Sequence, residues 1–353
     1  MQEEIQTRMG DGQWVRMSPT QVKEEIAAGT EDAADRGKIP GLTPAEKEHL
    51  FQIIADEDRV VSVRPGEEVV LTDDVSYIRM NQDEGASGGL GIPMSPPVAM
   101  LVHERAFAQD SAVMGATGSA RKHGINWKMQ EIETTQMLLT VPMLYVSGPA
   151  LLTYYKPLGP YGNPADLLPQ GKIQEAREAQ EEAAAASAEE MVWLCKQVAE
   201  VGVDCLNMDT IGGGGDTDFY ATLKGVQKLK KAAPETPIEM GMAGEFVLGM
   251  HGQITFEGHR LAGMYPHDQL KMAESAGVDI FGPVVNTNCS RSFPWNMSRV
   301  VTFIKHTSAV SNIPIHPNVG MGVCGVPMCP VPPVDSVSRV AKTLVEIGKA
   351  DGL

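Results

Sequence analysis

The sequence predicts an α/β fold, a (β/α)8 barrel incomplete at the C-terminus and preceded by an N-terminal extension. Three observations predict it. From Asn126 onward, short apolar runs alternate with amphipathic helical stretches, the pattern of βαβ units on a parallel sheet. A helix, a short Gly/Asp loop and an apolar run recur: Gln197 to Asp209 passes through Gly202-Val203-Asp204, and Ala273 to Val285 through Gly277-Val278-Asp279. Polar residues close nearly every strand, namely Ser147, Asp209-Thr210, Glu245, Asn286-Thr287-Asn288 and Asn318. An open doubly wound sheet is the alternative, but barrel active sites lie at the carboxyl ends of the strands, and this polar series favours the barrel.

The extension spans residues 1–125 and the partial barrel residues 126–353. Ser18 caps a helix with Pro19 in its first turn, and Thr43-Pro44 repeats the signal before Ala45 to Ile54. Val60 to Val63 and Glu68 to Leu71 flank Pro65-Gly66 as a predicted hairpin. Asp83 to Pro97 is a Gly/Pro loop too long to be idle in a compact domain. In the barrel part, strands are expected over Val141 to Val146, Val203 to Asp209, Ile238 to Ala243, Val278 to Val285 and Ile313 to Val319. Helices are expected over Trp127 to Leu139, Gln170 to Glu200, Asp218 to Ala232, His267 to Ala276, Trp295 to His306 and Asp335 to Lys349. Gly352-Leu353 then reads as the first step of a sixth strand, an apolar start whose next layer is missing.

The net charge of −16 argues against nucleic acid, whose phosphates require clustered Lys and Arg; it is compatible with a cationic substrate or a basic partner protein, although most acidic surfaces only solubilise. Five cysteines without a CxxC fit a reduced compartment. The start, MQEEIQTRMG, has no signal pattern and no apolar run reaches membrane length, so a cytoplasmic protein is expected. A homo-oligomer is compatible with the sequence.

Four motifs invite chemistry. Gly212, Gly213, Gly214 and Gly215 follow a strand; they read either as a phosphate cradle or as a turn admitting a bulky ligand, and no Gly-Lys-Ser/Thr accompanies them. Gly320-Met-Gly322-Val-Cys-Gly325 fits GxGxxG, but Pro327, Pro330, Pro332 and Pro333 follow, so no helix opens to receive a pyrophosphate. His316, Cys324 and Cys329 form a weak zinc alternative at no standard spacing. Asp209, Glu245, His251 and Asn288 stand at strand ends or in the loops after them, where acids suit an ammonium substrate or a proton transfer.

Several segments resemble the dimethylamine:corrinoid protein methyltransferases of methylamine-using methanogens and some anaerobic bacteria. They include Arg8-Met-Gly-Asp-Gly12, Ala27-Ala-Gly-Thr30, Asp32-Ala-Ala-Asp35, His103-Glu-Arg-Ala-Phe107, Lys172-Ile-Gln-Glu-Ala-Arg177 and Asp216-Thr-Asp-Phe-Tyr220. The longest are Gly241-Met-Ala-Gly-Glu245 with Leu248-Gly-Met-His-Gly252, Phe281-Gly-Pro-Val-Val-Asn-Thr-Asn288 and Asn318-Val-Gly-Met-Gly322. The resemblance implies a (β/α)8 barrel that uses pyrrolysine, encoded by an in-frame amber codon and expected just after Leu353. It implies that this chain is truncated at that codon; a chain ending here is expected to be an inactive fragment. It implies methyl transfer from dimethylamine to the Co(I) corrinoid of a cognate corrinoid protein, with no cofactor bound directly and no metal. Glu245, then Asp209, are the expected catalytic acids beside the pyrrolysine imine. His251, Asn286, Asn288 and Asn318 are expected to hold substrate, and Gly212–Gly215 to form a rim loop where the corrinoid approaches.

Overall fold

The computed structural model describes residues 4–67, 77–81, 89–93, 143–145, 151–200, 202–203, 205–249, 253–329 and 332–353. The chain divides into two compact units, Met1–Val70 with Leu144–Gly352, and Leu71–Met143 with Leu353. Residues 1–70 therefore share a unit with the parallel sheet.

The first unit opens with a hairpin that sequence patterning missed, β1 (Ile5–Arg8) against β2 (Trp14–Met17). Helix α1 (Pro19–Gly37) follows with Ser18 and Gln21 forming a capping box, and α2 (Pro44–Ala55) has the same box from Thr43 and Glu46. The hairpin expected at Val60 to Val63 is corrected: the turn at Pro65-Gly66 exists, with Glu67 N–H donating to Arg64 O at 3.0 Å, but no strand precedes it, and residues 68–71 lie outside the described residues. The backbone there is spoken for by α8 (Val334–Glu346): Val61 N–H donates to Ser338 Oγ (3.3 Å), and Arg64 N–H to Glu346 Oε1 (2.9 Å). In the second unit, β3 (Tyr77–Asn81) pairs antiparallel with β4 (Gly89–Pro93), so part of the long Gly/Pro segment is a strand. The helix expected over Trp127 to Leu139 lies outside the described residues.

The sheet follows in sequence order. Strands β5 (Met143–Tyr145), β6 (Cys205–Ile211), β7 (Ile238–Met242) and β10 (Ile280–Gly282) form one four-stranded sheet ordered β10-β7-β6-β5, with β6–β7 and β7–β10 parallel. Between them run α3 (Pro164–Leu167), α4 (Ile173–Glu200), α5 (Asp216–Ala232) and α6 (Pro266–Ala276), plus a small hairpin of β8 (Thr255–Phe256) and β9 (His259–Arg260), and α7 (Phe293–Val310) follows β10. Each added strand lies beside its predecessor, as in a barrel wall and unlike a doubly wound sheet that reverses direction. The described strands form a small parallel sheet in an α/β fold; a closed barrel is not among them.

The strand expected over Ile313 to Val319 shrinks to a single bridge, Phe281 with Ile315, flanked by Phe281 N–H to Pro314 O (3.0 Å) and His316 N–H to Phe281 O (2.8 Å). Pro314 and Pro317 have no N–H to extend the ladder. Asp351 and Gly352 N–H groups then donate to Ile315 O (2.9 and 3.2 Å), placing the last residues beside this segment.

The recurring Gly/Asp loop has a physical cause. Gly277 ends α6 at φ 100, a left-handed turn that glycine adopts without strain. Asp279 then reaches sideways: Ile238 N–H donates to its Oδ2 at 2.7 Å, and Lys230 pairs with it at 2.6 Å. Asp351 repeats the bond, accepting from Ile315 N–H at 2.9 Å. Each aspartate satisfies the first N–H of the neighbouring strand, which would otherwise be an orphan donor, and so sets strand register.

Candidate active site

Register sorts the sheet residues onto two faces. Leu206 pairs with Ile238, Met208 with Met240 and Met240 with Phe281, and these buried side chains belong to the apolar core under the helices. The intervening residues form the other face. Asn207 pairs with Glu239, and Gly241 with Gly282. Asn207 and Glu239 are each 3% exposed, and His316 is 7% exposed with its Nδ1 hydrogen-bonded to Glu239 Oε1. Buried polar groups on one side of a parallel sheet that is apolar on the other are not needed for packing, and they lead toward the strand ends.

Asp209 stands at that end, in a distorted stretch. The β6–β7 register shifts between Met208 and Ile211, and Thr210 has φ 57, a costly conformation for a β-branched residue. Such a bulge re-aims a side chain. Thr210 N–H donates to Asp209 Oδ1 at 2.7 Å. A Cβ at position 241 would come within 2.9 Å of that same oxygen, so only glycine leaves the carboxylate its place. Burial pushes the Asp209 carboxyl above its ordinary range, the bond from Thr210 opposes this, and the nearby Glu239 charge adds to the rise.

Glu245 stands in the loop just after β7, in a different setting. Its oxygens take a two-pronged clasp from Arg299 on α7, Nη1 to Oε2 and Nη2 to Oε1, both 2.6 Å. Arg299 Nε meets Asp32 of α1 at 2.7 Å. Burial works to raise the Asp32 carboxyl, but hydrogen bonds from Arg299 and Arg36 win and hold it below its usual range. Glu245 N–H donates to Asn286 Oδ1 at 3.2 Å, so these two sequence candidates meet.

The other candidates scatter. Asn288 is exposed and serves its own turn, accepting from Ser290 N–H at 2.9 Å while its backbone bonds Asn296. Asn318 is half-buried in the loop after Ile315. His251 and Ser147 lie outside the described residues.

The glycine loop does not form an anion cradle. Asp218 Oδ2 accepts from Gly212 N–H (2.9 Å) and Gly214 N–H (3.3 Å), so a carboxylate of the chain itself fills the place a phosphate would take. The loop does stand at the end of β6, with Gly213 and Gly214 exposed. After Gly325 no helix opens until Val334. The zinc alternative is also corrected: His316 is tied to Glu239, burial pushes the Cys324 thiol up to about 12, and among the described residues no three His, Cys, Asp or Glu side chains stand close enough to hold a metal ion.

Sequence reasoning missed Glu239 and Arg299. Both carried a signal, a single charge in an apolar context: Ile-Glu-Met-Gly-Met in β7, and Ser-Arg-Val-Val in α7.

Parallel strands with buried acids and a strained bulge toward their carboxyl ends are the arrangement in which α/β enzymes place their reacting groups. The profile of the dimethylamine methyltransferase (Dimeth_PyL) family matches residues 3–353, and the chain belongs to that family. Among solved structures, the homocysteine methyltransferase MmuM from Escherichia coli, apo form, is similar at 14% identity and a TM-score of 0.27, over 70% of this chain and 86% of that one. A likeness of that size supports no argument about this chain.

The geometry of the resemblance segments has local causes. A Cβ at Gly10 would collide with the Asn288 carbonyl, and one at Gly29 with the Trp295 carbonyl, so both are places where backbones meet. Asp32 is the partner of Arg299.

Proposed function

We infer that the protein transfers a methyl group from dimethylamine to the cobalt of a corrinoid carried by a separate protein, releasing monomethylamine. Family membership supports the amine and the methyl transfer. The resemblance supplies the corrinoid partner, and a pyrrolysine imine that would act as the amine's electrophile.

In this reading the residues of the chain handle charge and protons. Dimethylamine arrives mostly as its ammonium form, because alkylamines titrate near the lysine value of about 10.4. The acids Asp209 and Glu239 attract that cation. To react as a nucleophile the amine must give up a proton, and Asp209 is the acceptor. Its raised pKa makes it a stronger base than an ordinary carboxylate, and its place at the strand end puts it at the mouth. The hydrogen-bonded Glu239–His316 pair lies behind it and offers a second site for that proton. Glu245 is a clamp in this assignment, because Arg299 occupies both its oxygens. Gly213 and Gly214 expose only backbone at the rim, which lets a bulky corrinoid come close. Five cysteines, none of them in a disulfide, suit a reducing cytoplasm.

The observation that carries the assignment is Asp209 on its bulge, with glycine at 241 making room. The test is dimethylamine-dependent methylation of the cognate corrinoid protein by the pyrrolysine-containing protein purified from its source, the wild type of every comparison below, followed by the cobalamin absorbance. Wild-type activity that disappears without dimethylamine supports the reading; no methyl transfer with any methylamine refutes it. The nucleotides after the Leu353 codon test the pyrrolysine part. TAG followed by an open frame supports it, and any other codon removes it.

A further inference from the structure

We propose that Arg299 is a positioning residue, which from its place on α7 holds the loop after β7 against the loop after β10. The proposal rests on the reading of the strand-end face as the reaction site.

Arg299 commits its whole guanidinium. Nη1 and Nη2 grip Glu245, and Nε grips Asp32. Its side chain is 6% exposed and that of Glu245 10%. The rings of Trp295 and Phe303 lie on it at 5.7 and 5.3 Å. Burying a cation with two carboxylates gives little net stability, since apolar residues of like volume often serve as well or better. What such a cluster supplies that apolar packing lacks is direction.

The direction reaches the site through one short path. With its carboxylate fixed, Glu245 presents its N–H to Asn286 Oδ1. Holding that oxygen turns the Nδ2 donor of the exposed Asn286 away from Glu245, free to meet a ligand. The loop is pinned from a third side by Gln269, whose Nε2 donates to Gly244 O at 3.3 Å. On the far side, α1 is fastened to α7 along its length: Ser298 Oγ donates to Ile26 O (2.6 Å), and Thr30 and Thr302 hydroxyls bond at 2.8 Å. Asp32 is thereby a fixed post, and the N-terminal helix becomes part of the frame of the site. No described group other than Arg299 joins α1 to the Glu245 carboxylate.

The experiment compares wild type, R299K, and the paired replacement R299M/E245M, which removes both charges together and leaves apolar volume. Three quantities are read: melting temperature, amide exchange over residues 243–248, and kcat/KM for corrinoid methylation. Positioning predicts that R299M/E245M melts within a few degrees of wild type, exchanges its 244–246 amides about tenfold faster or more, and loses about tenfold or more in kcat/KM. R299K, which keeps the charge without the two-pronged grip, falls between. Wild-type exchange rates and activity within twofold in the paired variant would overturn the proposal. Should that variant not fold, E245Q is read by the same criteria. Wild type that transfers no methyl group would refute the functional reading instead, and loop exchange alone would then decide the role of Arg299.

Discussion

Two neighbouring strands carry an acid at or just past the carboxyl end, and the two acids have opposite surroundings. Near the carboxyl end of β6, Asp209 sits at a bulge, receives one backbone hydrogen bond and has its carboxyl pushed up by burial. After β7, Glu245 is gripped by a buried arginine through both oxygens. The residue type and topological position are alike, so neither decides the role. What decides it is whether the acid has a cation to satisfy it. A carboxylate with a permanent partner is an anchor; one desolvated without a cation is a base in waiting.

The largest expected effect breaks the comparison at Asp209. D209N should lower kcat by about 100-fold or more, the usual scale for a general base, while the protein melts at the same or a higher temperature. The rise has a definite sign. A carboxyl with a raised folded pKa contributes stability below its unfolded pKa and loses it as pH rises through the folded value. The D209N advantage in melting temperature should therefore be present at neutral pH and shrink on acidification.

At Glu245 the pattern inverts. E245A strands Arg299 with only Asp32 as partner, and should cost about 3–5 kcal/mol by denaturant unfolding. Its activity loss should follow unfolding and loop disorder. Asp32 titrates with the opposite sign to Asp209. Its folded pKa is depressed, so its contribution is present above the unfolded pKa and is lost as pH falls through the folded value. The stability gap between wild type and D32N should accordingly be widest near neutrality and close toward acid pH.

Much of the first unit's wall was legible in the sequence, because helix caps and apolar strands are local signals. Ser18 and Thr43 mark their helices through their own side chains, and the Gly277-Val278-Asp279 loop announces its strand with an aspartate that bonds the neighbouring one. Ile313 to Val319 misled, since its apolar composition says strand while two prolines deny it a ladder. Val60 to Val63 misled because its hydrogen-bond partners lie almost three hundred residues away on α8. The site was half legible. Acids at strand ends are visible in a sequence; the arginine that neutralises one of them sits on α7, and pairing across 54 residues leaves no local trace.

Smaller effects sharpen the contrast between the two loops. D218A removes the brace of the glycine loop and should cost about 0.5–1.5 kcal/mol, the net scale of a hydrogen bond whose donors water can reach, without creating tight phosphate binding by calorimetry. S18A, far from both loops, should cost about 1 kcal/mol in thermal unfolding and leave kcat unchanged.

The most direct measurement is the rate of dimethylamine-dependent corrinoid methylation by D209N beside wild type, with melting curves recorded on the same preparations. The account predicts a well-folded D209N protein, melting at or above the wild-type temperature, whose methylation rate is down about 100-fold or more. A folded D209N that methylates the corrinoid at the wild-type rate would contradict it, and would move the proton-accepting role away from the end of β6.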